Sequence, residues 1–333
     1  MALHFSMNVW MRALALTSLL IIAGCEKSSD IEIIRAISLI PTQTDYAKDF
    51  RKWIEKVNEQ GEGKFKIIYV GGPEAVPTFA QADAVRNGVV HMVFGPATYY
   101  VGLLPEVEAM FASNVPPWET RENGGVALMD KIHLEQLKVR YLARAAFIEF
   151  HLFTREHPRL QENGVPDLKK LLIRGGPSWR SFITSLQATY VNIAAPDIYT
   201  ALERNMIDGV AWPLVGLADS SWDKHLSYRI DPGVFSSDVG LVFNAEKWEQ
   251  LSEATRTILQ EAAIEYETNS YHRFKLLTDE LDQRMRESGM QIVTLQNESA
   301  KLYRELAADV MWERLKERAP EYYDELREKF YKE

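Results

Sequence analysis

Residues 65–96, FKIIYVGGPEAVPTFAQADAVRNGVVHMVFGP, decide the fold. The stretch opens with an apolar run, 65–70, that stops at Gly71-Gly72-Pro73-Glu74. Residues 78–87 then carry helical spacing, with Phe79, Ala82 and Val85 inward and Gly88 just past the end. Residues 89–94 form another apolar run, which enters Gly95-Pro96. Working outward, 31–39 reads as a strand. Residues 44–60 read as a helix with Tyr46, Phe50, Trp53, Ile54 and Val57 on one stripe and Gly61 as its stop. The order is βαβαβ. It implies a parallel sheet whose binding loops lie at the C-terminal ends of the strands.

A second such unit follows. Residues 147–153 and 171–173 read as strands, 177–188 as a helix, and 190–193 as a short strand. Residues 197–205 are helical, 207–212 enter a strand, and 241–243 form a strand leading to Asn244. From there the chain is mostly helical. Residues 253–288 form a long helix with Ile258, Ala262, Tyr266, Leu277, Leu281 and Met285 as buried positions, ended by Gly289. Residues 299–318 form another, carrying Leu302, Leu306, Val310 and Leu315, with Pro320 beyond it. Two α/β units and a long helix across both predict two lobes with a central cleft. Such a cleft is the usual seat of a small ligand, with hinge closure as the usual motion.

Arg174 is the leading site candidate. It ends the run Asp167-Leu168-Lys169-Lys170-Leu171-Leu172-Ile173-Arg174 and precedes Gly175-Gly176-Pro177. A strand that ends so delivers a permanent cation to the mouth of a sheet, where glycines let a ligand approach the backbone. A guanidinium forks onto carboxylate oxygens, so the expected guest is a small organic acid. The other reading of Arg174 is a surface ion pair.

Residues 13–23 are nearly all apolar, broken only by Thr17 and Ser18, with Arg12 before them. The run is too short to span a bilayer and fits a signal-peptide core. It ends in Ile22-Ala23-Gly24-Cys25, which resembles the bacterial lipobox, and Cys25 is the only cysteine. The expectation is a lipoprotein-type signal peptide over 1–24, lipidation at Cys25, and a polar tether over 25–30. Ordinary cleavage nearby is the alternative. Net charge is −9 with no basic block, which argues against nucleic acid as a partner.

Five stretches then point to one family. They are Glu74-Ala75-Val76-Pro77 with residues 83–92; residues 167–174; residues 197–204 with Ile207-Asp208-Gly209; residues 243–251; and the long helix that follows. Together they resemble the TRAP-type (tripartite ATP-independent periplasmic) solute-binding proteins, the DctP-like family. The resemblance implies the two-lobed periplasmic binding protein fold. Lobe I would be 31–146 plus 240–265, and lobe II 147–239 plus 266–333. It implies a periplasmic protein that captures a small organic acid and delivers it to a TRAP permease; the lipobox-like stretch adds an anchor to the membrane through Cys25 alone. It implies no catalytic role and no cofactor.

Residue by residue, Arg174 matches the arginine that pairs with the ligand carboxylate. Trp212 falls where relatives turn a side chain to the ligand; it is either an aromatic wall or core packing. His151 stands where many relatives carry a second arginine, which suggests one carboxylate plus a polar group rather than two acids, or else a structural histidine. Of Tyr99 and Tyr100, Tyr100 is the one expected to reach the cleft. Glu74 either accepts from a ligand hydroxyl or caps the helix after it. Lys170 and Asn205 replace family glycines, which predicts altered loop geometry. Ala211 stands where relatives that bind 2-oxo acids through a cation carry a carboxylate, so no metal is expected. The rival classes are a secreted enzyme acting on a small organic acid and a lipid-anchored sensor or scaffold. No nucleophile elbow, His-x-x-x-His pair, P-loop or Gly-x-Gly-x-x-Gly supports the enzyme, and no repeat supports the scaffold.

Overall fold

The computed structural model describes residues 31–332. The expected signal peptide, the tether and Cys25 lie outside the described residues. The chain is a mixed α/β protein of two lobes, each built on one sheet.

The first sheet has the strand order β2-β1-β3-β12-β4. Its strands are β1 (Glu32–Ser38), β2 (Phe65–Gly71), β3 (Met92–Pro96), β4 (Val139–Arg144) and the late arrival β12 (Val239–Asn244). β1 pairs in parallel with both β2 and β3, as the crossover reading requires. β12 inserts antiparallel between β3 and β4. The helix Asp45–Gln60 buries Tyr46, Phe50, Trp53, Ile54 and Val57, and the Thr44 side chain caps it by accepting from Ala47 N–H. Its Phe50 ring stacks on Phe94 at 4.5 Å. Each aromatic buried so contributes about 2 to 3 kcal/mol by transfer from water. β2 is an edge strand, and Asn58 covers it by bonding both the N–H and the carbonyl of Ile67.

The second sheet has the order β13-β11-β5-β10-β8-β9. Its strands are β5 (Glu149–Thr154), β8 (Leu172–Arg174), β9 (Thr189–Val191), β10 (Gly209–Pro213), β11 (Tyr228–Ser236) and β13 (Gln291–Thr294); β6 (Arg159–Leu160) and β7 (Pro166–Asp167) form a small side hairpin. β8 lies parallel between β9 and β10, while β5 runs antiparallel to β10 and β11.

Two segments cross between the lobes side by side. Ala145 N–H donates to the Val239 carbonyl at 2.7 Å, and Ser237 N–H donates to the Ile148 carbonyl at 2.8 Å. The helix Glu253–Glu287 spans the same junction. Trp53 Nε1 donates to its Ala262 carbonyl in the first lobe, Ser270 Oγ accepts from Ala146 N–H at the crossing, and Asp282 pairs with Arg229 in the second. The helix Asn297–Arg318 also bridges. It packs on the helix Arg180–Ser185 and on β11, while Arg314 and Arg318 meet the buried Glu108. Tyr323–Phe330 closes the chain against the helices Glu108–Phe111 and Gly125–Leu137.

Two sequence expectations need correction. Phe79 is exposed rather than inward, lying edge-on to Tyr99. The buried stripe of Asn297–Arg318 is Tyr303, Ala307, Met311, Trp312 and Leu315, one position on from Leu302, Leu306 and Val310. Lys170 and Asn205 both adopt the left-handed backbone that glycine favours, at φ 74° and 54°.

Candidate functional site

Both lobes and the crossing segments close around one narrow cavity. The first lobe supplies Ile40, Tyr46, Thr98 and Tyr99. The second supplies Phe150, Arg174, Trp179 and Trp212. Ser237 and Val239 come from the crossing. The cavity is about 30 Å³, room for roughly two waters.

Arg174 is the fixed cation of this space. It ends β8, is 1% exposed, and its Nε and Nη2 both donate to the Ile193 carbonyl. The guanidinium lies over the Trp212 ring at 5.2 Å. Among the described residues no carboxylate pairs with it. A buried guanidinium without an anion is costly, and the rest of its fork is open to a guest. Three more polar atoms at this cavity are buried without hydrogen-bond partners among the described residues: Tyr99 Oη, Trp212 Nε1 and Ser237 Oγ. Native structures rarely leave such groups unpaired, and where they do a ligand or water usually completes them. The glycines after Arg174 divide the work. Gly176 lines the cavity. A side chain at Gly175 would meet Trp179 Cβ at 2.4 Å, so that glycine makes room for the protein itself.

Trp212 stands at the cavity as a wall, held edge-on by Trp222 at 5.0 Å. Tyr100 does not reach the cavity. Its hydroxyl bonds His133 Nε2 at 3.0 Å, and its neighbour Tyr99 takes the lining position. His151 does not reach it either. Alternation along β5 turns Phe150 into the cleft and sends Glu149 and His151 to the other face. There His151 Nδ1 meets Asp231 at 2.9 Å beside a second cavity of about 860 Å³. Burial works to raise the Asp231 carboxyl, but hydrogen bonds from His151 and Arg229 outweigh it and hold it at about 2. Glu74 is exposed and accepts from Gly72 N–H at 2.8 Å, bracing its own turn rather than capping the next helix.

Behind the cavity Asp238 is fully buried. It accepts from Thr98 N–H at 2.6 Å, and burial pushes its carboxyl up to about 6. This bond fixes the turn that carries Tyr99.

The model of the family described as bacterial extracellular solute-binding protein, family 7 (DctP), matches residues 150–318. The chain belongs to this family. These solute-binding proteins are the receptors of TRAP transport in the periplasm, and capture of a solute between two lobes is what the fold serves. A monocarboxylate 2-oxoacid-binding periplasmic protein of Nostoc sp. strain PCC 7120 is 23% identical over 273 residues, covering 78% of this chain and 72% of the relative. The chain is similar in fold to the Bordetella pertussis receptor DctP7, which binds pyroglutamic acid. That match has a TM-score of 0.79 at 15% identity and covers 90% and 99% of the two chains. It is similar also to a TRAP solute-binding protein of Bordetella bronchiseptica with calcium and picolinate bound, at a TM-score of 0.77 and 20% identity over 90% and 92%.

Sequence reasoning missed Phe150, Trp179 and Ser237 as lining residues. The signal for Phe150 was the period-two alternation of its strand. That for Trp179 was its place one turn after Gly175-Gly176. Ser237 gave a weaker signal, a small polar pair, Ser236-Ser237, just ahead of the buried run 239–243.

Proposed function

We propose that this receptor captures a small monocarboxylate on Arg174 and releases it to a TRAP permease. The single observation that carries the reading is a buried, fixed guanidinium without a carboxylate partner among the described residues, facing unpaired donors in an interlobe cavity. One carboxylate takes the open side of the fork. A second polar group on the guest, such as a hydroxyl or a 2-oxo oxygen, engages Trp212 Nε1, Tyr99 Oη or Ser237 Oγ. The rest of the wall is aromatic and apolar, from Phe111, Phe150, Trp179 and Trp212, so the body of the acid is compact and uncharged. The 2-oxoacid bound by the Nostoc relative has this chemistry. His151, Tyr100 and Glu74 have no direct part in this reading.

Because the lining comes from both lobes, the closed form holds the guest more tightly than the open form. That difference drives closure about the crossing segments near 146/147 and 239/240. The closed surface is what the permease recognises, and a lipid on Cys25 keeps the receptor near it.

Calorimetry with pyruvate, lactate, pyroglutamate, picolinate and succinate tests the reading. A monocarboxylate binds, succinate binds far more weakly, and Arg174→Ala abolishes binding while the melting temperature stays near the parent's. Binding retained in Arg174→Ala overturns the assignment.

A further inference from the structure

One hydrogen bond between the lobes involves none of the groups that line the ligand cavity. Asp219 is an exposed residue on the loop between β10 and β11, strands of the second sheet. Its Oδ2 accepts from the backbone N–H of Asp45 at 3.0 Å. Asp45 is the first residue of the helix Asp45–Gln60 in the first lobe. That N–H has no partner within its own helix, because the first turn has no preceding carbonyls to bond. A carboxylate there also meets the positive end of the helix dipole. So a side chain of one lobe caps a helix of the other.

The loop that carries Asp219 is tied to the ligand wall. Three residues on, Trp222 packs edge-on to Trp212, and Trp212 lies under Arg174. The loop is stiff. Trp222 N–H donates to the Leu217 carbonyl, Ser221 N–H to the Ala218 carbonyl, and Ser221 is left-handed at φ 57°. A second carboxylate opposes the contact. The Asp45 side chain faces Asp219 and is partly neutralised by Lys48 at 3.1 Å. Burial, then the bond and charge of Asp45, raise the Asp219 carboxyl above its usual range, as expected of two acids brought together.

We propose that Asp219 is a positioning residue, a clasp that holds the lobes closed by capping the helix Asp45–Gln60 across the cleft. It touches no ligand. It sets the balance between open and closed forms, and the Trp212–Trp222 contact conveys occupancy of the Arg174 site to it. This rests on the reading of the cleft as the solute site, but its test needs no ligand.

The experiment is pulsed electron spin resonance on the mature chain carrying Cys25→Ser, with nitroxides at Lys66→Cys and Glu162→Cys, one exposed position on each lobe. Without ligand, Asp219→Ala lowers the closed-to-open ratio about three- to fivefold, the range for a partly exposed helix-end charge. Asp219→Asn, which keeps an acceptor oxygen but no charge, recovers part of that loss. Asp45→Asn, which removes the opposing charge, raises the closed fraction. The melting temperature of each variant stays within a few degrees of the parent's, which separates a clasp from a structural support. An unchanged distance distribution in Asp219→Ala overturns the proposal, as does an equal loss in the Asn and Ala variants.

Discussion

Arg174 is held from behind by Ile193: two of its N–H groups, on Nε and Nη2, converge on one carbonyl oxygen at 3.0 and 2.9 Å. The guanidinium plane is therefore set before any ligand arrives. Affinity gained on such a preset group is not spent on ordering a long side chain. Lysine cannot reproduce the arrangement, because an ammonium is a point charge without a fork. Arg174→Lys should weaken monocarboxylate binding at least tenfold, consistent with the roughly 1.5–3 kcal/mol of a hydrogen bond to a charged group. Titration calorimetry of parent and variant checks this. Equal dissociation constants would mean that charge alone suffices.

Tyr99 carries a hydroxyl that is buried and unpaired among the described residues. If a ligand completes it, Tyr99→Phe will act in opposite directions on two quantities. The ligand-free protein should gain up to about 1 kcal/mol, since an unsatisfied buried group is removed. Binding should weaken by about five- to tenfold. Denaturant melts without ligand, paired with calorimetry, separate the two effects. A loss in both would point to a packing role.

Two histidines should take stability away on acidification between about pH 6.5 and pH 4. Burial holds His133 down at about 4, and burial aided by the Arg35 charge holds His91 near the same value. The unfolded chain binds these protons near pH 6.5, before the folded chain does. The contribution of each histidine is thus fully present above pH 6.5 and is lost as pH falls towards 4. For His133, fully buried with Nδ1 on the Met129 carbonyl, that amounts to about 3 kcal/mol. The difference in unfolding free energy between parent and His133→Gln should vary with pH across this window. A constant difference would contradict the assignment. Asp238 opposes the trend, since its raised carboxyl makes stability fall as pH rises from about 4 to about 6.

Lys170 sits exposed at φ 74°. Glycine takes that backbone without strain, so Lys170→Gly should raise stability by about 0.5 to 1 kcal/mol despite its larger unfolded entropy. Chemical denaturation measures the change, and destabilisation would show that the lysine side chain makes a compensating contact.

Cys25→Ser should move the protein from the membrane to the soluble fraction on cell fractionation, because several acyl chains anchor stably where one does not. An intact mass that begins downstream of an unmodified Cys25 would rule out the anchor.

The βαβαβ order and the parallel pairing of β1 with β2 and β3 were legible because each apolar run ended at Gly or Pro. The stripe of Asp45–Gln60 was legible because five bulky residues share one face. The stripe of Asn297–Arg318 was not. It uses Ala307 and Tyr303, while Leu302 and Leu306 lie half-exposed beside it, so hydrophobicity alone chose the wrong row. β11 went unread because Asp231, Pro232 and Gly233 interrupt it. In the site, Arg174 could be read from its position at a strand end, whereas Trp212 came from the family resemblance. The choices between Tyr99 and Tyr100 and between Phe150 and His151 could not. Each pair differs by one residue. Strand register decides between Phe150 and His151, and the helical turn Ala97–Tyr100 decides between Tyr99 and Tyr100.

The place of β12 has a further consequence, for the order in which the molecule can form. The strand sits inside the first sheet, between β3 and β4, yet it is made only after nearly all of the second sheet. The central strands of the second sheet, β5, β8, β10 and β11, are contiguous within residues 149–236 and can assemble as soon as they emerge. The first lobe begins earlier and finishes later. Its half-sheet must wait with two inner edges unpaired until Val239–Asn244 arrives. Closing so distant a pairing is slow. The N-terminal lobe of this receptor therefore begins first but cannot complete its sheet until Val239–Asn244 has been made.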